Sequence, residues 1–261
     1  MPQQSDDVRQ VEQGLVVAKG IIVIDRTGSM GVTRSTGNTR CYDAREQGLK
    51  KVDEFFGKYS GSALAVWTID STVKKLTGYV TSPQAAKDAI TALTPQGCSG
   101  STPLADGICM AVDELNKEPK VAGVTNLVTI LSDGGENASQ GACKGNSNDL
   151  NDPASWRYKA RQKAFGSSPH VQINPQYWTG SLDFLSLVKA QTQNLEPVPV
   201  VSAAGVSAQG VCTNDAQCDH DLFLSLAADT GGLYDLVKDS NPQYPCSSNT
   251  CPAPYYEPIF W

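Results

Sequence analysis

Two long apolar segments, each of which ends in an aspartate, constrain the fold of this chain most strongly. Residues 15–25 (LVVAKGIIVID) and 124–133 (VTNLVTILSD) are rich in Val, Ile and Leu. Nearly continuous apolar runs of this length are typical of strands that are buried on both faces of a sheet. Both segments are too short to span a bilayer, so we expect no membrane insertion.

The rest of the chain alternates between strand and helix patterns. Further strands are predicted at 63–70, 73–80, 197–206 and 233–239, and helices at 39–56, 83–93, 103–116, 154–165, 181–194 and 219–229. The strand at 73–80 follows its neighbour through a short turn and is therefore expected to be antiparallel to it. The pattern predicts an α/β fold: a doubly wound, mostly parallel six-stranded sheet with one antiparallel edge strand and helices on both faces.

The domain organisation predicted from the sequence is a single large unit. A length of 261 residues fits one α/β domain, which we assign to residues 12–240, with a long insertion at about 134–196. Residues 241–261 are rich in Pro, Cys and aromatic residues and are interpreted as a tail or linker. The first residues, MPQQSDDVRQ, lack the basic and then apolar profile of a signal peptide.

The charge and the histidine content exclude several functions. The net charge is −6 and the pI is about 4.9, so the surface repels phosphate backbones and nucleic acid is not an expected partner. There are only 2 histidines, His170 and His220, which leaves little room for a His-based zinc site or a Ser–His–Asp triad.

The 8 cysteines indicate an oxidising compartment, because an even number without CxxC pairs is more typical of disulfides than of zinc ligands. Cys212 with Cys218 and Cys246 with Cys251 would each close a short loop. The other pairings are open, and a set of buried free thiols is the alternative. The remaining disulfide candidates are Cys41, Cys98, Cys109 and Cys143.

Three short oxygen-rich segments follow strands or open a helix. The first loop is 25–29 (DRTGS), the second is 100–103 (GSTP) and the third is 132–135 (SDGG). In doubly wound sheets, ligands bind outside the carboxyl ends of the strands, where these loops are expected. Their two carboxylates and their hydroxyls suit a hard cation such as Mg²⁺, which prefers oxygen ligands.

Each candidate ligand also has a structural alternative. Asp25 and Asp133 could simply end strands, since Asp is common in turns. Ser29 could hydrogen-bond within its own loop, and Thr102 could be the N-cap of the following helix. The combination of three such loops favours the metal site over four separate structural roles.

These residues resemble the von Willebrand factor type A domain, in its bacterial form, with a metal-ion-dependent adhesion site. Asp25, Thr27 and Ser29 match the first motif of that family, Asp-x-Ser/Thr-x-Ser. Thr102, within GSTPLADGI, matches the Thr of the second loop, and Asp133, within ILSDGGEN, matches the Asp of the third. The resemblance implies that these five residues bind a divalent cation, Mg²⁺ first, with Mn²⁺ or Ca²⁺ as alternatives.

The resemblance also implies a function. A protein partner would present an Asp or Glu to the cation, which would act as a bridge in adhesion or protein–protein contact. The cysteines favour an extracellular, cell-surface or periplasmic protein, for example a pilus-associated one. The alternative is an intracellular assembly factor that partners with an ATPase or a multiprotein complex.

Catalysis is not expected from the sequence. The segment GCSGS at 97–101 fails the Gly-x-Ser-x-Gly elbow, because Ser101 replaces the last Gly. Neither a GxxxxGK phosphate loop nor a Rossmann glycine fingerprint is present. Asp106 and Glu136 lie near the metal loops, where solvated or capping roles are expected. The residues after 239 do not resemble the C-terminal helix that regulates integrin-type members, so such regulation is not expected.

Overall fold

The computed structural model describes residues 17–117, 123–146, 149–168, 170–180 and 215–240. Six strands of this part form one sheet in the order β3-β2-β1-β4-β5-β6. The strands are β1 (Val17–Asp25), β2 (Ala63–Asp70), β3 (Thr72–Lys75), β4 (Val124–Ser132), β5 (Val171–Thr179) and β6 (Asp235–Lys238). Strand β3 runs antiparallel to β2 and every other pair is parallel, which confirms the predicted sheet.

Helices connect the parallel strands. They are α1 (Arg40–Lys58), α2 (Pro83–Thr91), α3 (Leu104–Asn116), α4 (Trp156–Phe165) and α5 (Asp215–Thr230). The side chains of Thr39, Ser82 and Ser155 accept backbone N–H groups at the starts of α1, α2 and α4, which fixes where these helices begin. No helix in the described ranges is long and apolar enough to cross a membrane.

The sheet is buried on both faces, as the apolar runs predicted. Ile21 and Val23 of β1 pack into a core under α3, α4 and α5. Ile22 and Ile24 of the same strand pack into a second core under α1 and α2. Because side chains alternate between the two faces of a strand, a strand between two helical layers must be apolar at nearly every position.

The fifth strand was not predicted. Strand β5 at Val171–Thr179 (VQINPQYWT) carries polar residues at alternate positions, as strands often do, but it has Pro175 in its middle, which disfavours a strand. Pairing of β5 with β6 begins only at Gln176. At Pro175, among the described residues, β5 is therefore paired with β4 alone, and β5 is locally an edge strand, where a proline is tolerated. The strand predicted at 197–206 and the helix predicted at 181–194 lie outside the described residues.

The strand order creates a switch point between β1 and β4. From β1 the chain moves to β2 and β3 on one side, and then crosses to β4, β5 and β6 on the other. Helices that start from β1 and from β4 therefore leave in opposite directions, which opens a crevice at the carboxyl ends of these two strands. Asp25 is the last residue of β1 and Asp133 follows the last residue of β4, so both predicted carboxylate ligands border this crevice.

Candidate metal centre

The first loop is organised around the carboxylate of Asp25. Its Oδ1 accepts hydrogen bonds from the backbone N–H of Thr27 at 2.9 Å and from the Thr27 hydroxyl at 2.6 Å. Its Oδ2 accepts the hydroxyl of Ser132, which belongs to the third loop, at 2.6 Å. Asp25 is 1% exposed, so these hydroxyls stand in for the water that the carboxylate has lost.

Ser29 and Asp133 join the first loop to the third. The Ser29 hydroxyl donates to Asp133 Oδ1 at 2.8 Å across 104 residues of sequence, and it lies 3.4 Å from the Thr27 hydroxyl. Ser29 therefore bonds across the crevice to Asp133 as well as, at the longer distance, within its own loop to Thr27. Four of the five predicted ligands, Asp25, Thr27, Ser29 and Asp133, form one connected group of oxygens.

The backbone of the second loop is hydrogen-bonded to the first loop and to the segment that follows the third loop. The Gly28 N–H donates to the Gly100 carbonyl at 3.0 Å. Thr102 donates its N–H to the Asn137 side chain at 2.7 Å and accepts the Asn137 N–H at 3.0 Å. Thr102 is buried at this edge, but Pro103 occupies the N-cap position of α3, so the N-cap alternative for Thr102 is wrong. The predicted first helical residue, Pro103, precedes the helix by one position.

Glu136 and Asp106 serve the backbone beside the crevice. Glu136 accepts the N–H groups of Ala105, Ala138 and Ser139 at 2.7–2.8 Å. Asp106 accepts the N–H groups of Gln140 and Gly141 at 2.8 and 2.9 Å. These bonds fold the segment after the third loop onto the start of α3, and they agree with the expected capping roles.

Burial and mutual repulsion disfavour negative charge on the two carboxylates. Burial, and then the nearby charge of Asp133, raises the pKa of Asp25 to about 7, although hydrogen bonds from Ser132 and Thr27 oppose this rise. Burial also raises the pKa of Asp133, against the opposing effect of Arg40. A positive charge placed between the two groups would relieve both effects.

The sequence interpretation missed Arg40 and Asp239. Arg40 Nη1 donates to Asp133 Oδ2 at 2.6 Å, and its Nε and Nη2 bind the Asp239 carboxylate at 2.9 and 2.5 Å. One local signal was available: Arg40 is the first residue of α1, where the helix dipole disfavours a cation unless carboxylates lie nearby. The identity of those carboxylates, 93 and 199 residues away, is not encoded locally.

Two disulfides brace the loops of the crevice. Cys41–Cys98 joins the first turn of α1 to the segment that leads into the second loop, and Cys109–Cys143 joins α3 to the segment after the third loop. Cys218 is also disulfide-bonded, and the described part of the chain contains no free cysteine, so the free-thiol alternative is wrong there. Cys212, Cys246 and Cys251 lie outside the described residues, and their pairings stay predictions.

The donor set fits a hard cation and not a soft one. Within the described ranges, no group of three or more His, Cys, Asp or Glu side chains could hold a metal ion, which leaves no zinc-type cluster there. The crevice instead offers carboxylate and hydroxyl oxygens, and the buried Asp25 carboxylate lacks a cationic partner among its hydrogen bonds. Mg²⁺, Mn²⁺ and Ca²⁺ all accept such oxygen ligands.

Comparison with known proteins agrees with this architecture. Residues 21–136, less than half of the chain, match the family model described as the von Willebrand factor type A domain. No curated protein matches the sequence significantly. The matched segment runs from β1 to Glu136 and includes all five predicted ligands.

Solved structures of similar fold extend the likeness to most of the chain. The conserved hypothetical protein BatB from Bacteroides thetaiotaomicron has a TM-score of 0.52 at 15% identity, with 86% of this chain and 92% of that chain covered. The vWF domain of the type V pili tip protein Mfa5 from Porphyromonas gingivalis has a TM-score of 0.53 at 14% identity, with 85% and 90% covered.

The PilB minor pilin from Streptococcus sanguinis is also similar, with a TM-score of 0.53 at 11% identity. The comparison covers 89% of this chain but only 59% of the pilin. At these identities the likeness concerns the fold alone. The matched segment and the sheet topology together identify the fold of this chain as that of a von Willebrand factor type A domain.

Proposed function

We propose that this chain is a metal-dependent protein-binding module. Thr27, Ser29 and Thr102 would offer hydroxyl ligands to a divalent cation, Mg²⁺ first, while Asp25 and Asp133 would bind it directly or through water. The hydroxyls are neutral, so two carboxylates balance the ion without giving it excess negative charge. When bound, the cation supplies a Lewis-acidic position that an Asp or Glu of a partner protein can occupy.

The observation that carries this proposal is the hydrogen bond between Ser29 and Asp133. It joins two predicted ligands from different loops at the switch point of the sheet, next to the buried Asp25. Structural turn residues would satisfy their own loops, whereas these side chains converge across the crevice. A desolvated pair of carboxylates with hydroxyls around it is an arrangement that cation binding stabilises.

The cellular setting that we propose is extracellular, cell-surface or periplasmic, as in adhesion at a pilus. Disulfides persist in oxidising compartments, and here they brace the loops of the proposed binding face. Two of the structurally similar proteins are named as a pilus tip protein and a minor pilin, which supports the same setting. The disulfides count against the alternative of an intracellular assembly factor.

Binding without catalysis is part of this proposal. Asp106, in the first turn of α3, and Glu136, after the third loop, both accept hydrogen bonds from backbone N–H groups. These hydrogen bonds assign both carboxylates to holding the loop conformation, and not to proton transfer. A turnover assay on candidate esters and phosphoesters, with Asp25→Ala as the comparison, tests this point.

Calorimetric titration of metal-free protein with Mg²⁺, Mn²⁺ and Ca²⁺ tests the site directly. We expect binding of at least one ion in the wild type and none in the Asp25→Ala/Asp133→Ala double variant. No heat for any ion, or the same heat in the double variant, would refute the proposal. A pull-down with and without chelator then tests whether the ion is needed for a partner to bind.

A further inference from the structure

Arg40 joins the metal edge to the end of the last strand. Its guanidinium lies between the carboxylate of Asp133 and that of Asp239, the residue that follows β6. The side chains of Arg40, Asp133 and Asp239 are 11%, 2% and 15% exposed, so water screens these ion pairs weakly. The contact with Asp239 uses two guanidinium nitrogens, which is the stronger of the two arrangements.

The two oxygens of Asp133 have different partners as a result. Oδ2 accepts Arg40, while Oδ1 accepts the hydroxyl of Ser29. The ion pair therefore fixes the rotation of the carboxylate and directs Oδ1 toward the hydroxyl ligands. Asp239 holds the guanidinium of Arg40 through separate hydrogen bonds, so the position of Arg40 does not depend on Asp133 alone.

Arg40 also belongs to a larger network of buried charges. Asp239 lies 3.6 Å from Arg34 Nε, and Arg34 forms a fully buried ion pair with Asp43. The carboxylates of this network and of Asp25 number four, against two guanidiniums, which leaves a formal charge of −2 among these described residues. One divalent cation balances that charge, and a neutral residue at position 40 would change it to −3.

We propose that Arg40 is a positioning residue that lowers the affinity of the site for the cation and raises its affinity for an acidic ligand. Its positive charge repels the cation but attracts a carboxylate that approaches the cation from the crevice. This inference rests on the proposed metal site and extends it by naming a residue that sets the preference for a carboxylate-bearing partner. Arg40 acts through Asp133 and through its field, without being a metal ligand itself.

The test measures Mn²⁺ affinity and acetate affinity separately. Mn²⁺ binding to metal-free protein is followed by calorimetry, and acetate binding to the Mn²⁺-loaded protein by water-proton relaxation, which falls when acetate displaces bound water. In Arg40→Gln we expect Mn²⁺ to bind about tenfold more tightly and acetate to bind several-fold more weakly. The substitution removes one positive charge beside a partly buried site, and that charge repels a cation but attracts an anion. Asp239→Asn removes a negative charge and is expected to weaken Mn²⁺ binding.

A purely structural role predicts a different pattern. If Arg40 only supports the fold of the loops, Arg40→Gln weakens Mn²⁺ and acetate together, and that result overturns the inference. Arg40→Met is a second neutral variant, for use if the Gln variant does not fold, and it should likewise bind Mn²⁺ more tightly and acetate more weakly. Arg40→Lys keeps the positive charge and is expected to bind Mn²⁺ with an affinity within about twofold of wild type. If the wild type binds no Mn²⁺, the proposed metal site fails and this inference fails with it. If the wild type binds and the neutral variants are unchanged, this inference alone fails.

Discussion

Metal binding at this crevice should compete with a proton on Asp25. Burial and the charge of Asp133 raise the pKa of Asp25 to about 7, and a carboxylate must lose its proton before it can serve a cation. Lowering the pH from 8 to 6 should therefore weaken Mg²⁺ or Mn²⁺ binding. The ordinary pKa of Asp, 3.8, would give no such effect in this range.

The magnitude follows from the ionised fraction of one group with a pKa of about 7. About 90% of Asp25 is ionised at pH 8 and about 10% at pH 6, so the apparent affinity should fall about tenfold, or about 1.4 kcal/mol. Binding should release about 0.1 proton at pH 8 and about 0.9 proton at pH 6. Calorimetry in two buffers that differ in ionisation enthalpy measures both the affinity and the number of protons released.

The same pKa fixes the sign of the pH effect on stability. In metal-free protein the folded state holds the Asp25 proton more tightly than the unfolded chain, so stability should fall as the pH rises from 3.8 to about 7. Burial raises the pKa of Asp43 and of Asp219 only to about 6, so each of these two carboxyls contributes less than Asp25 to the change in stability between pH 6 and 8. Saturating metal should abolish this trend between pH 6 and 8, because Asp25 is then ionised in both the folded and the unfolded state.

Two results would refute this reasoning. One is an apparent metal affinity that is the same at pH 6 and pH 8. The other is tight binding at pH 6 without proton release. The variant Asp25→Asn serves as the control for stability, because residue 25 then cannot ionise, and its metal-free unfolding free energy should depend less on pH between 6 and 8 than that of the wild type.

Three further predictions concern single features of the crevice. Ser29→Ala should weaken Mg²⁺ binding at least about tenfold, as measured by calorimetry, and should cost about 1 kcal/mol of stability. The control Ser35→Ala changes a nearby exposed serine and should alter neither the Mg²⁺ affinity nor the stability. Equal effects of the two substitutions would contradict a ligand role for Ser29. Removing Cys41–Cys98, which spans 57 residues, in a double Ser variant should lower the free energy of unfolding by up to about 4 kcal/mol in urea titrations, and an unchanged value would show that the disulfide does not restrict the unfolded chain. Gly134→Ala should destabilise the fold by about 1–3 kcal/mol more than Gly135→Ala. Both residues have a positive φ, but only at Gly134 would an added Cβ collide with the Asp219 carboxylate. Equal losses of unfolding free energy in urea titrations would contradict this.

Much of the candidate site could be predicted because its parts are local. Asp25, Thr27 and Ser29 lie within five residues after an apolar strand, and Asp133 follows a second such strand. Once both strands are taken as parallel and central, their carboxyl ends must lie at the same edge. Thr102 could be predicted from its place before a helix, although its role as an N-cap could be excluded only from the structure.

Other features depended on partners far away in sequence. The charge of Arg40 is offset by Asp133 and Asp239, and nothing near Arg40 identifies either one. The pairings Cys41–Cys98 and Cys109–Cys143 are likewise two among the many that eight cysteines permit. Strand β5 was not predicted because Pro175 lies in its middle, and only the pairing shows that β6 joins the sheet beyond that residue, from Gln176 onward.

The sequence by itself determined that this chain folds as a doubly wound sheet with oxygen-rich loops at one edge. It could do so because apolar periodicity and turn residues act over a few neighbouring positions. Only the tertiary structure decided which polar and charged groups meet in the crevice: the Ser29 hydroxyl against Asp133, and Arg40 between Asp133 and Asp239. Coulomb interactions depend on distance in space, and the distance between loops from strands 100 or more residues apart is set by packing, not by spacing along the chain.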